Sequence, residues 1–119
     1  MAEHESKVNY QRGVASLVLL SLLKQSNMYG YQLVQEMERQ SNGALCMQEG
    51  ALYPVLYKLQ DSGCISSEKV LVGRRMTRVY YRLEPKGAEY LELLIQEYRS
   101  VVNGVLRIVE GVDQQPAES

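Results

Sequence analysis

The chain is poor in the residues from which metal centres and most catalytic sites are built. Its 119 residues hold one histidine, His4, and two cysteines, Cys46 and Cys64. That set does not meet the ligand spacings of a structural zinc site. A disulfide between the cysteines stays open as an alternative, but reduced, half-buried thiols in a cytosolic protein are the expected state. There is no nucleophile elbow, no phosphate-cradling glycine loop and no cluster of metal ligands, which makes an enzyme the weakest function class. No cofactor is expected. The longest apolar run, Leu17 to Leu23, is broken by Ser21 and is too short to cross a bilayer. The start, Met1-Ala2-Glu3-His4-Glu5, is polar and acidic, unlike a secretory signal, so the expected location is the cytoplasm. An excess of charge is lacking too. The formal net charge is −1, a value that can hide local asymmetry and is read here by segment.

What is present is ordinary for a soluble globular protein: 45% apolar and 23% charged residues, in a length that suits one domain with a modest core. Residues 1–9 are polar and are expected to form a flexible tail. From about Tyr10 to Lys24 the chain is apolar on nearly every side, which describes a buried helix covered by other elements or by a second subunit. Lys24-Gln25-Ser26-Asn27 reads as a stop and turn. A second, short helix follows over Gly30 to Arg39, with Tyr31, Leu33, Val34 and Met37 on one face, and Asn42-Gly43 ends it. Ala44 to Met47 is a connector or a stub of strand.

The stretch from Gln48 to Gly63 organises the rest. As a helix it puts Leu52, Val55, Leu56 and Leu59 on one face. Gly50, Pro54, Tyr57 and Lys58 lie on the other, with Tyr53 on the border. A proline inside a helix costs ~3 kcal/mol but little near its start, so the helix is expected to begin near Glu49 to Ala51. That start places Glu49 at the positive end of the helix dipole, and Gly63 supplies the stop.

Two β-type runs follow, Cys64 to Val72 and Thr77 to Leu83. In the second, Val79, Tyr81 and Leu83 alternate with Arg78, Tyr80 and Arg82, the period of a half-buried strand. The connector Gly73-Arg74-Arg75-Met76 makes a hairpin with a positive tip. Over Cys64 to Leu83, five basic residues (Lys69, Arg74, Arg75, Arg78, Arg82) face only Glu68, a net +4. The plain alternative is a solvated edge kept charged against aggregation. The last segment, Pro85 to about Glu110, is the longest helix, with proline well placed at its first position. Leu91, Leu94, Tyr98, Val101, Val105 and Ile108 form a heptad seam, and Ile95, Val102, Leu106 and Val109 add a second. Two seams need two surfaces, which points to a homodimer through this helix; the alternative is a helix folded back on its own core.

Helix, helix, helix, two-stranded wing and long helix is the order of a winged helix-turn-helix with an appended dimerisation helix. The residues then become recognisable. Met28-Tyr29-Gly30-Tyr31, then Gly50-Ala51-Leu52-Tyr53-Pro54 with Leu56, Leu59 and Gly63, then Arg78 with Tyr80-Tyr81-Arg82-Leu83 and Gly87 resemble the PadR family of bacterial transcriptional regulators, over roughly Arg12 to Gly104. The single C-terminal helix is similar to the small members of that family. Two departures stand out: Glu84 where the family often has a capping threonine, and Met76-Thr77 between the wing arginines.

The resemblance implies a mainly α fold: a DNA-binding winged helix-turn-helix over 10–83, a dimerisation helix over 84–111 and a flexible tail over 112–119. It implies a dimeric repressor of a palindromic operator, binding double-stranded DNA and released by a small aromatic or apolar effector. In helix-turn-helix docking the second helix of the motif enters the major groove by its N-terminal part. On that reading Gln48, Gly50, Ala51, Tyr53 and Lys58 belong to the reading helix. Gln48 suits a base edge, since glutamine pairs with adenine; Tyr53 and Lys58 suit phosphate, and Tyr53 equally suits packing at the edge of the core. Lys69, Arg74, Arg75 and Arg78 on the wing suit backbone or minor-groove contacts, which position more than they specify. By the same resemblance Ser16, Leu17 and Tyr98 match effector-lining positions, while Tyr98 equally suits dimer packing. A winged-helix module that binds protein and not DNA is the runner-up reading.

Overall fold

A computed structural model of the chain describes residues 2–111, with side chains from residue 14 onward. The elements run α1 (Ala2–Gln25), β1 (Met28–Tyr29), α2 (Gly30–Gln40), α3 (Glu49–Asp61), β2 (Ile65–Val72), β3 (Met76–Leu83) and α4 (Pro85–Val109). This is a winged helix-turn-helix followed by one long helix. Residues 112–119, expected as a tail, lie outside the described residues. Among those described, no helix is long and apolar enough to cross a membrane.

Two details differ from the sequence reading, and a third decides between its alternatives. The backbone of α1 is helical from Ala2, earlier than the expected Tyr10; neither proline nor glycine stands before Gly13 to stop it. The wing is not a two-stranded hairpin alone. Met28 and Tyr29 pair antiparallel with Tyr81 and Tyr80, giving a sheet in the order β1-β3-β2. That pairing joins segments far apart in the chain, which no local pattern records. Ala44 to Met47 forms no strand; Leu45 and Met47 pack beside the core.

The core is where the helical faces meet. Leu19 and Leu20 of α1, Leu33 of α2, Leu52 and Leu56 of α3 and Leu91 of α4 are its fully buried large side chains. Each contributes about 1.5–3 kcal/mol by leaving water. Among its described residues, the apolar α1 is therefore covered by its own chain from Ala15 to Leu23, with Ala15, Leu22 and Leu23 also buried.

The end of α3 is fixed by its backbone. Gly63 takes a φ of +82°, and the N–H groups of Gly63 and Cys64 donate to the carbonyls of Gln60 and Leu59 at 3.0 and 2.9 Å. This is the paired closure that glycine permits after a helix. The Cys64 carbonyl then accepts the N–H of Glu84 at 2.9 Å, and Gly87 of α4 lies so close to it that a Cβ there would collide with the oxygen. Cys64 thus ties α3, β2 and α4 together. Both cysteines are free thiols, Cys46 exposed and Cys64 buried.

Candidate nucleic-acid interface

The start of α3 is open to solvent. Gln48 is its N-cap residue, with φ −82° and ψ 151°, and makes no side-chain capping bond, so the helix does not use its exposed amide. Gly50 and Ala51 are exposed; a Cβ on Gly50 would meet nothing within 4 Å, so the protomer's packing does not require glycine there. Pro54 lies within the helix near its N-terminal end, where its missing N–H frees only the Gly50 carbonyl.

Tyr53 is set differently from a free phosphate ligand. Its ring is half-buried against α2, where a Cβ on Gly30 would come within 2.5 Å of the phenolic oxygen. Its hydroxyl donates to the Glu49 carboxylate at 3.3 Å. Burial first, then the negative charge of Glu49, raises its pKa above the ordinary 10. Packing at the core edge is the larger part of its role. One turn on, Tyr57 is 63% exposed, its ring centroid 6.3 Å from that of Tyr53. Tyr57 is not among the residues that the sequence singles out for the site. The spacing of four from Glu49 to Tyr53 to Tyr57 was the available signal, since such residues form one ridge on a helix.

The wing divides its basic residues into two kinds. Arg74 and Arg75 occupy the exposed tip and have no carboxylate partner among the described residues. Lys69 is exposed on β2, opposite Val79. Arg78 is half-buried, with its guanidinium carbon 4.2 Å above the Tyr29 ring, and Tyr29 meets Tyr80 edge-on at 5.3 Å. Such a cation–π contact is worth about 0.5–2 kcal/mol, so Arg78 braces the wing root against β1. Leu71 and Met76 flank the tip and are also exposed.

At the root, Glu84 makes no side-chain cap for α4. Its carboxylate accepts a hydrogen bond from the Ser66 hydroxyl at 2.5 Å and pairs with Arg82 at 3.5 Å. On α2, hydrogen bonds from Arg39 and then Gln40 lower the pKa of Glu36 to about 2, so that pair is ionised at neutral pH.

A groove of about 740 Å³ opens between α1, α3 and α4, lined among others by Ser16, Pro54, Val55, Lys58, Lys86 and Tyr90. Lys58 borders this groove, and Tyr53 is not in its lining. Of the three positions matched to effector binding, Ser16 lines this groove and Leu17 packs partly against the core. Tyr98 lies eight residues beyond Tyr90, about 12 Å along α4, and does not line the groove.

The seam of α4 is also divided. Leu91, with 1% exposure, belongs to the protomer's own core and is not available to a partner. Leu94 is partly buried against that core. Tyr98, Val101, Val105 and Ile108 are exposed, Ile108 at 81%. Among the described residues no group of three or more histidine, cysteine, aspartate or glutamate side chains is placed to hold a metal ion.

The sequence pattern of the transcriptional regulator PadR-like family matches residues 19–93. A transcriptional regulator from Clostridium thermocellum has a similar structure, with a TM-score of 0.77 and 26% identity over 85% of this chain and 95% of that one. An uncharacterized protein of Lysinibacillus sphaericus is 28% identical over 102 residues, 86% of this chain and 94% of that protein. PadR of Bacillus subtilis, solved in complex with operator DNA, gives a TM-score of 0.65 at 23% identity, over 69% of this chain and 46% of that chain. At that identity the likeness is one of fold.

Proposed function

The chain belongs to the PadR-like family of transcriptional regulators, and on that footing we propose that it binds double-stranded DNA as a homodimer, with α3 as the reading helix and the wing as a backbone clamp. As a transcription regulator it is not an enzyme. The observation that carries the reading is the pairing of an open α3 N-terminus with an arginine tip that has no acidic partner among the described residues. Gln48, Gly50 and Ala51 approach the bases. Arg74, Arg75 and Lys69 hold phosphate, and Arg78 sets the angle of the wing. Residues 10–83 form the DNA-binding unit and 84–111 the dimerisation helix, acting in the cytoplasm as a repressor on a palindromic operator.

Two-fold symmetry would place half-sites about one helical turn apart. The test is selection of bound sequences from random duplex DNA by the purified chain, with its mass measured in solution. A palindromic consensus and a dimer mass are expected; a monomer, or a consensus without a dyad, overturns the dimeric operator reading. Replacing both Arg74 and Arg75 by alanine should weaken binding to every duplex and reduce the slope of log affinity against log salt by about 1.8, since each phosphate contact contributes about 0.9. An unchanged slope removes the tip from the interface.

A small aromatic or apolar effector acts in this proposal between the two α4 helices, beside Tyr98, and lowers operator affinity. A panel of aromatic acids and planar drugs added to the same titrations tests it; release that persists in Tyr98→Ala excludes Tyr98. Exposed Leu71 and Met76 favour the alternative of a protein-binding module, which predicts no affinity for any duplex at low salt.

A further inference from the structure

The surface of α3 proposed to meet DNA carries one group of the wrong sign. Glu49 opens the helix and is exposed, and no lysine or arginine among the described residues pairs with it. Its described partner is the Tyr53 hydroxyl, at 3.3 Å. A carboxylate near phosphates weakens attraction to every duplex alike. The helix dipole accounts for an acid in the first turn, but not for the way this one is held.

That holding runs through two helices. Gly30 of α2 lacks the Cβ that would stand 2.5 Å from the Tyr53 phenolic oxygen, so the ring can close against α2. The ring in turn presents its hydroxyl to Glu49. The hydroxyl donates one proton to one carboxylate oxygen, and the remaining lone pairs stay free to accept. Next to Glu49, Gly50 has open space where a side chain would project, so nothing from this residue screens the acid.

We infer that Glu49 is a specificity-determining residue that accepts a hydrogen bond from the N4 amino group of one cytosine in each half-site, with Tyr53 as its positioning residue. The inference rests on the DNA-binding reading above. In the major groove cytosine offers the N4 donor. Guanine offers only the O6 and N7 acceptors and thymine only O4 besides its methyl group, while adenine sets an N7 acceptor beside its N6 donor. A carboxylate is therefore attracted by cytosine and repelled by guanine and thymine. The lost general attraction becomes discrimination, because the repulsive element acts against the wrong bases.

The test compares wild type, Glu49→Gln and Tyr53→Phe on the selected operator and on single-base-pair variants across it, at two salt concentrations. Glu49→Gln should bind random duplex more tightly, having lost a like charge. Its preference for cytosine at one position per half-site should fall by about 5-fold or more and move toward adenine, the base that glutamine pairs with. Tyr53→Phe keeps the ring and the charge, so it should lose part of the same preference at the same position without the general gain. A Glu49→Gln protein whose affinity changes by one common factor on all variants overturns the inference, as does a lost preference for a base other than cytosine. A uniform effect of Tyr53→Phe removes its positioning role. A wild-type chain that binds no duplex overturns the DNA-binding reading itself, a result distinct from both.

Discussion

The two halves of α4 are written in the same alphabet and live in different surroundings. Over Pro85 to Ile95 the helix packs on its own domain, with Gly87 against the Cys64 carbonyl and Leu91 sealed in the core. Over Tyr98 to Val109 the apolar residues recur at the same spacing, yet Val101, Val105, Leu106, Ile108 and Val109 are exposed. The difference teaches what a heptad pattern contains. It fixes which residues line up along a helix, and it is silent on whether the facing surface comes from the same chain or another.

Three variants sharpen that contrast, ordered by their expected effect on the fold. Leu91→Ala should cost about 2–5 kcal/mol, as buried leucine truncations do, measured by urea unfolding. A loss near zero would place Leu91 outside the core and erase the boundary between the halves. Gly87→Ala should cost about 1–3 kcal/mol in the same measurement, because the added methyl meets backbone that cannot swing aside. Val101→Asp combined with Val105→Asp should leave the protomer's stability within about 0.5 kcal/mol, as exposed substitutions usually do, while converting a dimer mass to a monomer mass in sedimentation. The unfolding midpoint should then stop depending on protein concentration. If the mass is unaffected, the far half is not the contact between subunits.

Much of the fold was legible because its signals are local. Pro54 limits where α3 can start and Gly63 where it ends, by conformational rules that need no neighbours, and Leu52, Leu56 and Leu59 share a face by helical spacing alone. The arginine tip follows from hairpin spacing. What was not legible depends on residues distant in the chain. The strand β1 exists because Met28 and Tyr29 meet Tyr81 and Tyr80. Arg78 looks like another wing cation until the Tyr29 ring is found beneath it. Helical spacing puts Tyr53 on the border of its helix, but the fit of its ring depends on a missing methyl on α2. Ser16 lines a groove whose lining does not include Tyr98, a division that a resemblance between sequences does not record. The candidate surface is thus readable in outline from the chain, and the setting of its side chains only from the packing.

The joint at Cys64 acts as the fulcrum of a lever. Its amide closes α3 and its carbonyl receives the start of α4. From there α4 runs 25 residues, about 37 Å at 1.5 Å per residue. A tilt of about 5° at this fulcrum would swing the far end by about 3 Å, close to the 3.4 Å rise between base pairs. In a dimer held at that far end, small errors at one backbone oxygen would shift where the two reading helices land on DNA. In such a dimer the glycine at position 87 would serve as a machining tolerance, keeping the span between half-sites true.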